Sequence, residues 1–442
     1  MADTYTSGSI PKQMAQLAAP LIAGNIFQQL YNTADAFILG RCAGSDEFAA
    51  AGIAGSVMNL FIFAIVGACT GMSVLFAQFY GGGDGAAFRR ERFLSLSFGL
   101  ADAVLLGFFG LVFLPTLSDI IQIPHELRGL VRTYLTVIFL SLPAAFLYNL
   151  YSAILRSVGH AGAALAALAA AVVMNVLLDV LLIAHFGMDI GGAAAATAAS
   201  QAASAAMCII YLRKKLPELS PRRADCRMDK ALLRKTLKLS AVTALHQSGL
   251  YIGKLLVQGA VNTGGTAMIS AYTASTRIEG FANSFGDSVA AASSVLTAQN
   301  FGAGKKERVK KCFRTGQTYA LALGAMSALI MYFFAGTAAG FMLGEYSGAA
   351  YENAAEYLQT IALFYVLCFT GSAFVGYFDG TGRVAVPFAG ALGHITLRVI
   401  LSWLFIGRFG LRTVAFATGV GWLLANIFWA IEYAIYQNRR AG

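Results

Sequence analysis

Ala77-Gln78-Phe79-Tyr80-Gly81-Gly82-Gly83 closes a long apolar run, and Arg89, Arg90 and Arg92 follow it. Ala298-Gln299-Asn300-Phe301-Gly302-Ala303-Gly304 closes another and is followed by Lys305, Lys306 and Arg308. The two stretches lie 221 residues apart. A second pair, Leu155-Arg156-Ser157-Val158-Gly159 and Phe378-Asp379-Gly380-Thr381-Gly382, lies at a spacing of 223. Two matched landmarks in the same order read as a duplicated unit. In a chain this apolar, duplication points to a transporter built from two halves.

Of 442 residues, 57% are hydrophobic and only 12% charged, whereas a soluble protein carries about a quarter charged residues. The chain belongs in a bilayer. Apolar stretches long enough to cross about 30 Å of hydrocarbon recur throughout. Twelve are expected, at 14–40, 48–80, 92–116, 127–152, 163–185, 190–212, 236–260, 267–300, 314–343, 353–378, 386–406 and 412–436. None shows the ten-residue alternation of a membrane barrel, so the expected class is an all-α membrane protein.

The net charge of +10 is explained by its placement. Most Lys and Arg residues fall in the even-numbered connections and at the termini, while the odd-numbered connections hold Arg41, Arg128, Arg132, Arg408 and Arg412. By the positive-inside rule both termini are cytoplasmic, in a multi-pass protein of the bacterial plasma (inner) membrane. Nucleic acid is not an expected partner; the lipid bilayer is. The N-terminal stretch Met1–Lys12 has no signal-peptide pattern. The six cysteines show no CxxC or His-paired spacing, which argues against structural zinc and a disulfide framework. No cofactor is expected, and no nucleotide-binding signature is found.

The halves are 1–220 and 221–442, six helices each, with 213–235 as a cytoplasmic linker carrying Pro217 and Pro221. An even count gives both halves the same orientation, a parallel repeat about an axis near the membrane normal. Two pseudo-symmetric six-helix bundles around a central cavity can expose it to either side in turn. Gly81-Gly82-Gly83-Asp84-Gly85 and Gly302-Ala303-Gly304 read as helix terminators.

A carboxylate at mid-bilayer costs about 2.5–3.5 kcal/mol on insertion scales. Asp35 lies in the first span and Asp179 in the fifth, where Asn175, four residues earlier, shares its helix face. An amide beside one carboxylate, with a second from another helix, suits a proton or Na+. Pro20, fifteen residues before Asp35, removes a backbone bond and kinks the first helix, making it a hinge candidate. In the second half Lys254, Arg277, Glu279, Asp287 and Arg398 are intramembrane charges. Lys254 stands roughly opposite Asp35 in the repeat, so the halves cannot share one ion chemistry. An interhelical pair of Lys254 with Glu279 is the structural reading of these charges; contact with substrate is the functional one. Tyr31, Tyr148 and Gln28 are further cavity candidates, since aromatic faces attract organic cations.

On Tyr31-Asn32-Thr33-Ala34-Asp35 with Gly40 and Gly44, Ala77-Gln78, Leu155–Gly159, Asn175, Asp179 and Ala298–Gly304, the sequence resembles the multidrug and toxin extrusion (MATE) family over almost its whole length. Position by position its first half is similar to the DinF-like branch. That resemblance implies an ion-coupling set of Asp35, Asn175, Asp179, Tyr134 and Thr197, a bending proline at Pro20, and a Na+ site of Asp35, Asn175 and Asp179 if Na+ is the coupling ion. It also implies export of small organic cations in exchange for H+ or Na+, by a chain that functions as a monomer. The NorM-like branch has acidic ligands in its second half, and around His246-Gln247-Ser248 and near Cys368 this chain has none. A flippase for a lipid-linked or anionic substrate is the alternative, kept open by Lys254, Arg277 and Arg398. An enzyme is not expected, because no HExxH or nucleophile elbow occurs.

Overall fold

A computed structural model describes residues 5–42 and 44–441, apart from the side chains of 31–37, 40–42, 45, 440 and 441. The described residues form α1 (Ile10–Cys42), α2 (Ser45–Gly81), α3 (Gly85–Val112), the short α4 (Leu114–Ile120), α5 (His125–Ser157), α6 (Ala161–Asp179) and α7 (Asp189–Lys215). They continue with α8 (Lys230–Asn262), α9 (Thr266–Gly302), α10 (Lys306–Leu343), α11 (Ala349–Ala362), α12 (Tyr365–Gly380), α13 (Ala385–Phe409) and α14 (Arg412–Ala441). Each expected span coincides with one helix or with a helix and its continuation; the third, 92–116, runs from α3 across Phe113 into α4, and two others depart further.

Those two places depart from a simple helix. The fifth span leaves α geometry at Asp179 and finishes as a π-helical turn, Val180–His185. The tenth, expected as one helix over 353–378, is broken between α11 and α12 with a bend of 53°. No proline or glycine marks that break. Phe364 turns out of the helical path, and its ring lies where a Cβ on Gly419 would meet it at 2.3 Å.

Among the described residues, eight single helices are long and apolar enough to cross a membrane, and the bent α11–α12 pair makes a ninth. Among the fully described helices, α8 and α9 fall short of that hydropathy, and α9 buries many of its polar residues: Ser275, Ser284, Ser288, Ser293, Thr297, Gln299 and Asn300. By contrast α10 exposes Leu329, Phe333 and Phe341, and an exposed apolar band of this kind suits lipid.

The four matched glycine motifs are four copies of one helix ending. Gly83 N–H bonds Tyr80 O and Asp84 N–H bonds Phe79 O; Gly304 and Lys305 repeat this with Phe301 and Asn300. Gly159 and His160 do the same with Arg156 and Leu155, as do Gly382 and Arg383 with Asp379 and Phe378. These paired bonds define the Schellman cap, whose central residue needs a left-handed backbone. Gly83, Gly159, Gly304 and Gly382 have φ of 74°, 92°, 70° and 78°, which only glycine adopts without strain.

By packing, the chain forms two units: Ala23–Ala244 in one, Tyr5–Ile22 with Leu245–Gly442 in the other. Both divisions fall inside helices. One cuts α1 just past Pro20, and the other cuts α8 at the equivalent point of the repeat. The first unit's core is built from α2, α3, α5 and α7 around Phe76, Phe88, Phe139 and Phe146. Helices approach closely there, since a Cβ on Gly107 would lie 2.5 Å from Phe139 O. The second unit's core centres on Tyr357, Tyr365 and Phe369, with a satellite of Phe313, Tyr377, Phe378 and Trp429.

Candidate functional site

In the first unit, α6 brings Asn175 and Asp179 onto one buried face, at 1% and 0% exposure. With its amide oriented to satisfy both neighbours, Asn175 Nδ2 donates to Asp179 Oδ2 at 2.9 Å and its oxygen accepts from Thr197 N–H at 3.2 Å. The π-helical turn begins one residue after Asp179, and π turns recur at functional sites. Tyr134 is buried on α5, with its hydroxyl 3.8 Å from Met58 Sδ. Asp35 and Tyr31 lie on α1 among side chains outside the described residues. Gln28, one turn before Tyr31, is exposed; Tyr148 and Pro20 are half-buried. The structure brings together Asn175, Asp179 and the backbone N–H of Thr197.

A second polar network lies in the second unit. Arg398 on α13 donates from Nη2 to the Tyr272 hydroxyl on α9 at 3.1 Å. Glu279 lies two helical turns along α9 from Tyr272 and is an electrostatic neighbour of Arg398, Tyr357 and Lys254. Glu279, Asn283 and Asp287 follow at four-residue spacing and share a face. Lys254 and Glu279 do not form the expected ion pair. Lys254 is exposed on α8, and among the described residues the ion pairs with nitrogen–oxygen separations of 4.0 Å or less do not include it. Lys254 also acts on Asp287, so its field is shared between two carboxylates. The Arg398–Tyr272 bond was not anticipated, because nothing in the sequence singles out one of 18 tyrosines.

The basic residues after each glycine motif do more than set orientation. In the first unit Arg92 Nη1 donates to Leu219 O at 3.0 Å, Arg89 pairs with Asp225 at 2.7 Å and Arg90 with Asp229 at 3.1 Å. They grip the linker that precedes α8. In the second unit Arg308 donates to the Tyr5, Ser7 and Gly8 carbonyls, Lys305 donates to Thr6 O, and Gln299 Oε1 accepts from Tyr5 N–H. They grip the segment that precedes α1. The hydrogen bond from Arg89 holds the Asp225 carboxyl below its ordinary range. Asp229 is likewise lowered, first by the Leu232 N–H and then by Arg90. Fully buried Glu91, between those arginines, accepts from Ser95 at 2.8 Å and Thr236 at 2.7 Å.

The MatE family profile matches residues 20–181 and again 241–404. The two matches start 221 residues apart and end 223 apart, the spacings of the glycine landmarks. The chain is 26% identical to Probable multidrug resistance protein YpnP of Bacillus subtilis over 96% of its length and 94% of that protein. It is 25% identical to Multidrug export protein MepA of Staphylococcus saprophyticus, covering 95% and 91%. Its fold superposes on a crystal structure of MATE in the bent conformation with a TM-score of 0.90 at 21% identity, covering 98% of both chains. An outward-facing multidrug resistance MATE family transporter of the MOP superfamily gives 0.90 at 21%, covering 97% and 96%.

Proposed function

The chain belongs to the MatE family, and from that premise we propose that it is a secondary active antiporter, exporting organic and mostly cationic compounds in exchange for H+ or Na+. Relatives that it matches along nearly their full length are named as multidrug resistance and export proteins. The observation that carries the ion-coupling part is the fully buried Asp179, bonded to Asn175 at the edge of a π turn. A carboxylate inside a membrane-spanning helix is costly unless a proton or a bound cation offsets its charge, and a second carboxylate nearby strengthens that demand. Asp35 supplies that second charge in this reading, with Tyr134 and Thr197 flanking it. Loading the site changes the preferred shape of α1 at Pro20, where α1 passes from one packing unit to the other. Alternating exposure of the cavity follows, in a monomer of two six-helix lobes, 1–220 and 221–442, with both termini in the cytoplasm.

The test is efflux of a fluorescent organic cation from proteoliposomes under an imposed pH gradient or Na+ gradient, for wild type, Asp35→Asn and Asp179→Asn. The expected result is gradient-driven efflux by wild type that both variants lose while still binding the dye. Efflux driven only by Na+ assigns the same residues to a Na+ site. A wild type that moves the dye under neither gradient overturns the reading in favour of a lipid-linked or anionic substrate.

A further inference from the structure

The outer surface of the first unit carries a charge that the rest of the unit does not answer. Asp102 lies on α3 near the middle of the expected span 92–116, about 15 Å along the helix from Arg92 at a rise of 1.5 Å per residue. Its side chain is exposed. Among the described residues no ion pair reaches its carboxylate, and no charged group or hydrogen-bond donor acts on it. The exposed residues beside it are apolar: Val104, Leu105, Phe108 and Phe109 are 51%, 52%, 58% and 50% exposed. Ionisable side chains within membrane helices almost always face the bundle interior and pair there. This one faces outward, among side chains suited to lipid.

The fold gives no structural reason for the charge. At the repeat spacing of 221 the equivalent residue on α10 is Leu323, so the duplicated scaffold does without a carboxylate here. Nor does the face suit a second helix. Helices associate in lipid through small residues that let backbones approach, and α3 spends its small residues on the other side. Gly99, Ala103, Gly107 and Gly110 are buried, where a Cβ on Gly99 would meet the Phe146 ring and one on Gly107 would lie 2.5 Å from Phe139 O. Around Asp102 the outer face is bulky and aromatic instead. Phe109, seven residues on and so on the same face, stacks with Phe113 at 6.2 Å and meets Phe108 edge-on at 5.7 Å. A carboxylate beside ring faces attracts a cation. Depth decides which kind: lipid ammonium groups stay in the headgroup region, so the cation must be one whose charge is spread over an apolar body.

We propose that the outer face of α3 is a membrane-facing binding site for lipophilic organic cations dissolved in the bilayer, their charge on the Asp102 carboxylate and their apolar body along Leu105 and Phe109. The bound cation supplies the partner that Asp102 lacks within the fold, and the carboxylate supplies a counter-charge that the lipid lacks. The inference deepens the export reading by naming where such compounds are first held, and rests on it for biological meaning, but its binding test needs no transport.

A benzophenone-bearing alkyl triphenylphosphonium is the probe, and the uncharged alkyl triphenylmethyl analogue is its control. Full-length protein in phosphatidylcholine nanodiscs is photolysed with each, for wild type, Asp102→Asn and Asp102→Glu, and the labelled peptides are mapped by mass spectrometry. The phosphonium is expected to label wild type saturably within residues 98–109, in competition with tetraphenylphosphonium, and the uncharged analogue to label that segment at least roughly tenfold more weakly. Asp102→Asn is expected to weaken phosphonium binding by a similar factor, whereas Asp102→Glu keeps most of it. The Asn variant removes an unpaired charge from an apolar surface, so its ligand-free melting temperature holds or rises, which separates lost binding from lost folding. Labelling of wild type only elsewhere, equal labelling by the two probes, or undiminished labelling in Asp102→Asn each overturns the proposal. A dimer in nanodiscs that Asp102→Asn dissolves also overturns it, in favour of a second copy on this face. Saturable labelling of α3 without gradient-driven export of the same phosphonium overturns the export reading instead and leaves this site standing.

Discussion

Gly376 and Gly380 sit one turn apart on α12, pressed against the backbone of α9. A Cβ on Gly376 would lie 2.4 Å from Ala290 O and 2.9 Å from Ser293 Cβ; one on Gly380 would lie 2.6 Å from Ser294 O and 2.7 Å from Thr297 Cβ. The obstacle at each is a helical carbonyl, which has no rotamer to move into. Ordinary contact requires the helices to part by about 1 Å. Overpacking of this kind costs about 1–3 kcal/mol, against which alanine returns about 0.5–1 kcal/mol of helix propensity. Gly376→Ala is therefore expected to lose roughly 1–2 kcal/mol net, or about 1–2 °C in melting temperature for a chain of 442 residues. The double variant should lose less than the sum of the two, because one separation relieves both clashes. Gly393→Ala on α13 is the control, since nothing lies within 4 Å of its Cβ, and it should melt at or slightly above wild type. The assay is thermal unfolding of purified protein followed by tryptophan fluorescence. A Gly376→Ala variant as stable as Gly393→Ala would refute the claim that α9 and α12 pack backbone to backbone.

Arg308→Ala removes donors to the Tyr5, Ser7 and Gly8 carbonyls, so hydrogen exchange at residues 5–9 should rise at least tenfold with the melting temperature little changed. Thr236→Val leaves Glu91 Oε2 without its donor inside a buried site, and stability should fall by about 1–3 kcal/mol; Thr236→Ser should retain most of it. The Asp225 carboxyl is held below its ordinary range by Arg89. Its contribution is therefore complete above the ordinary carboxylate range and is lost as pH falls through the lowered value. A nitroxide on neighbouring Cys226 should report release of the linker on acidification, beginning at higher pH in Arg89→Gln; an identical onset in both proteins would count against the ion pair as the lock.

What was legible in the sequence follows the physics of each signal. Apolar length is set by bilayer thickness, so twelve helical stretches could be read, with ends off by up to eight residues. Two of the four glycine caps, at Gly83 and Gly304, were legible as helix ends because a left-handed residue leaves few choices besides glycine; Gly159 and Gly382 stood out only as landmarks of the repeat. The break before Tyr365 was not legible, since no proline or glycine marks it; Phe364 there packs on Gly419, fifty-five residues away in the chain. Nor was the π turn after Asp179: Val180–His185 has the apolar composition of any span. At the site, four-residue spacing sufficed to pair Asn175 with Asp179. The bond to Thr197 uses its backbone N–H, which every residue but proline carries, so side-chain identity could not reveal it. Lys254 and Glu279 were paired on charge alone, and charge does not fix distance.

The repeat divides these features into two kinds. Helix-end devices recur in both halves: the Schellman caps at spacings of 221 and 223, and, 216 residues apart, the basic residues that grip the segment preceding a first helix. Side-chain chemistry does not recur. The first unit gathers an amide and a carboxylate, suited to a small cation. The second gathers the Arg398 guanidinium, the Glu279 carboxylate and the rings of Tyr272 and Tyr357. A duplicated scaffold can tolerate this divergence because caps and straps fix the ends of the helices, whereas the networks occupy their interiors. Substitutions in one network should therefore alter ion dependence or ligand preference separately, while loss of a cap or strap should disturb both.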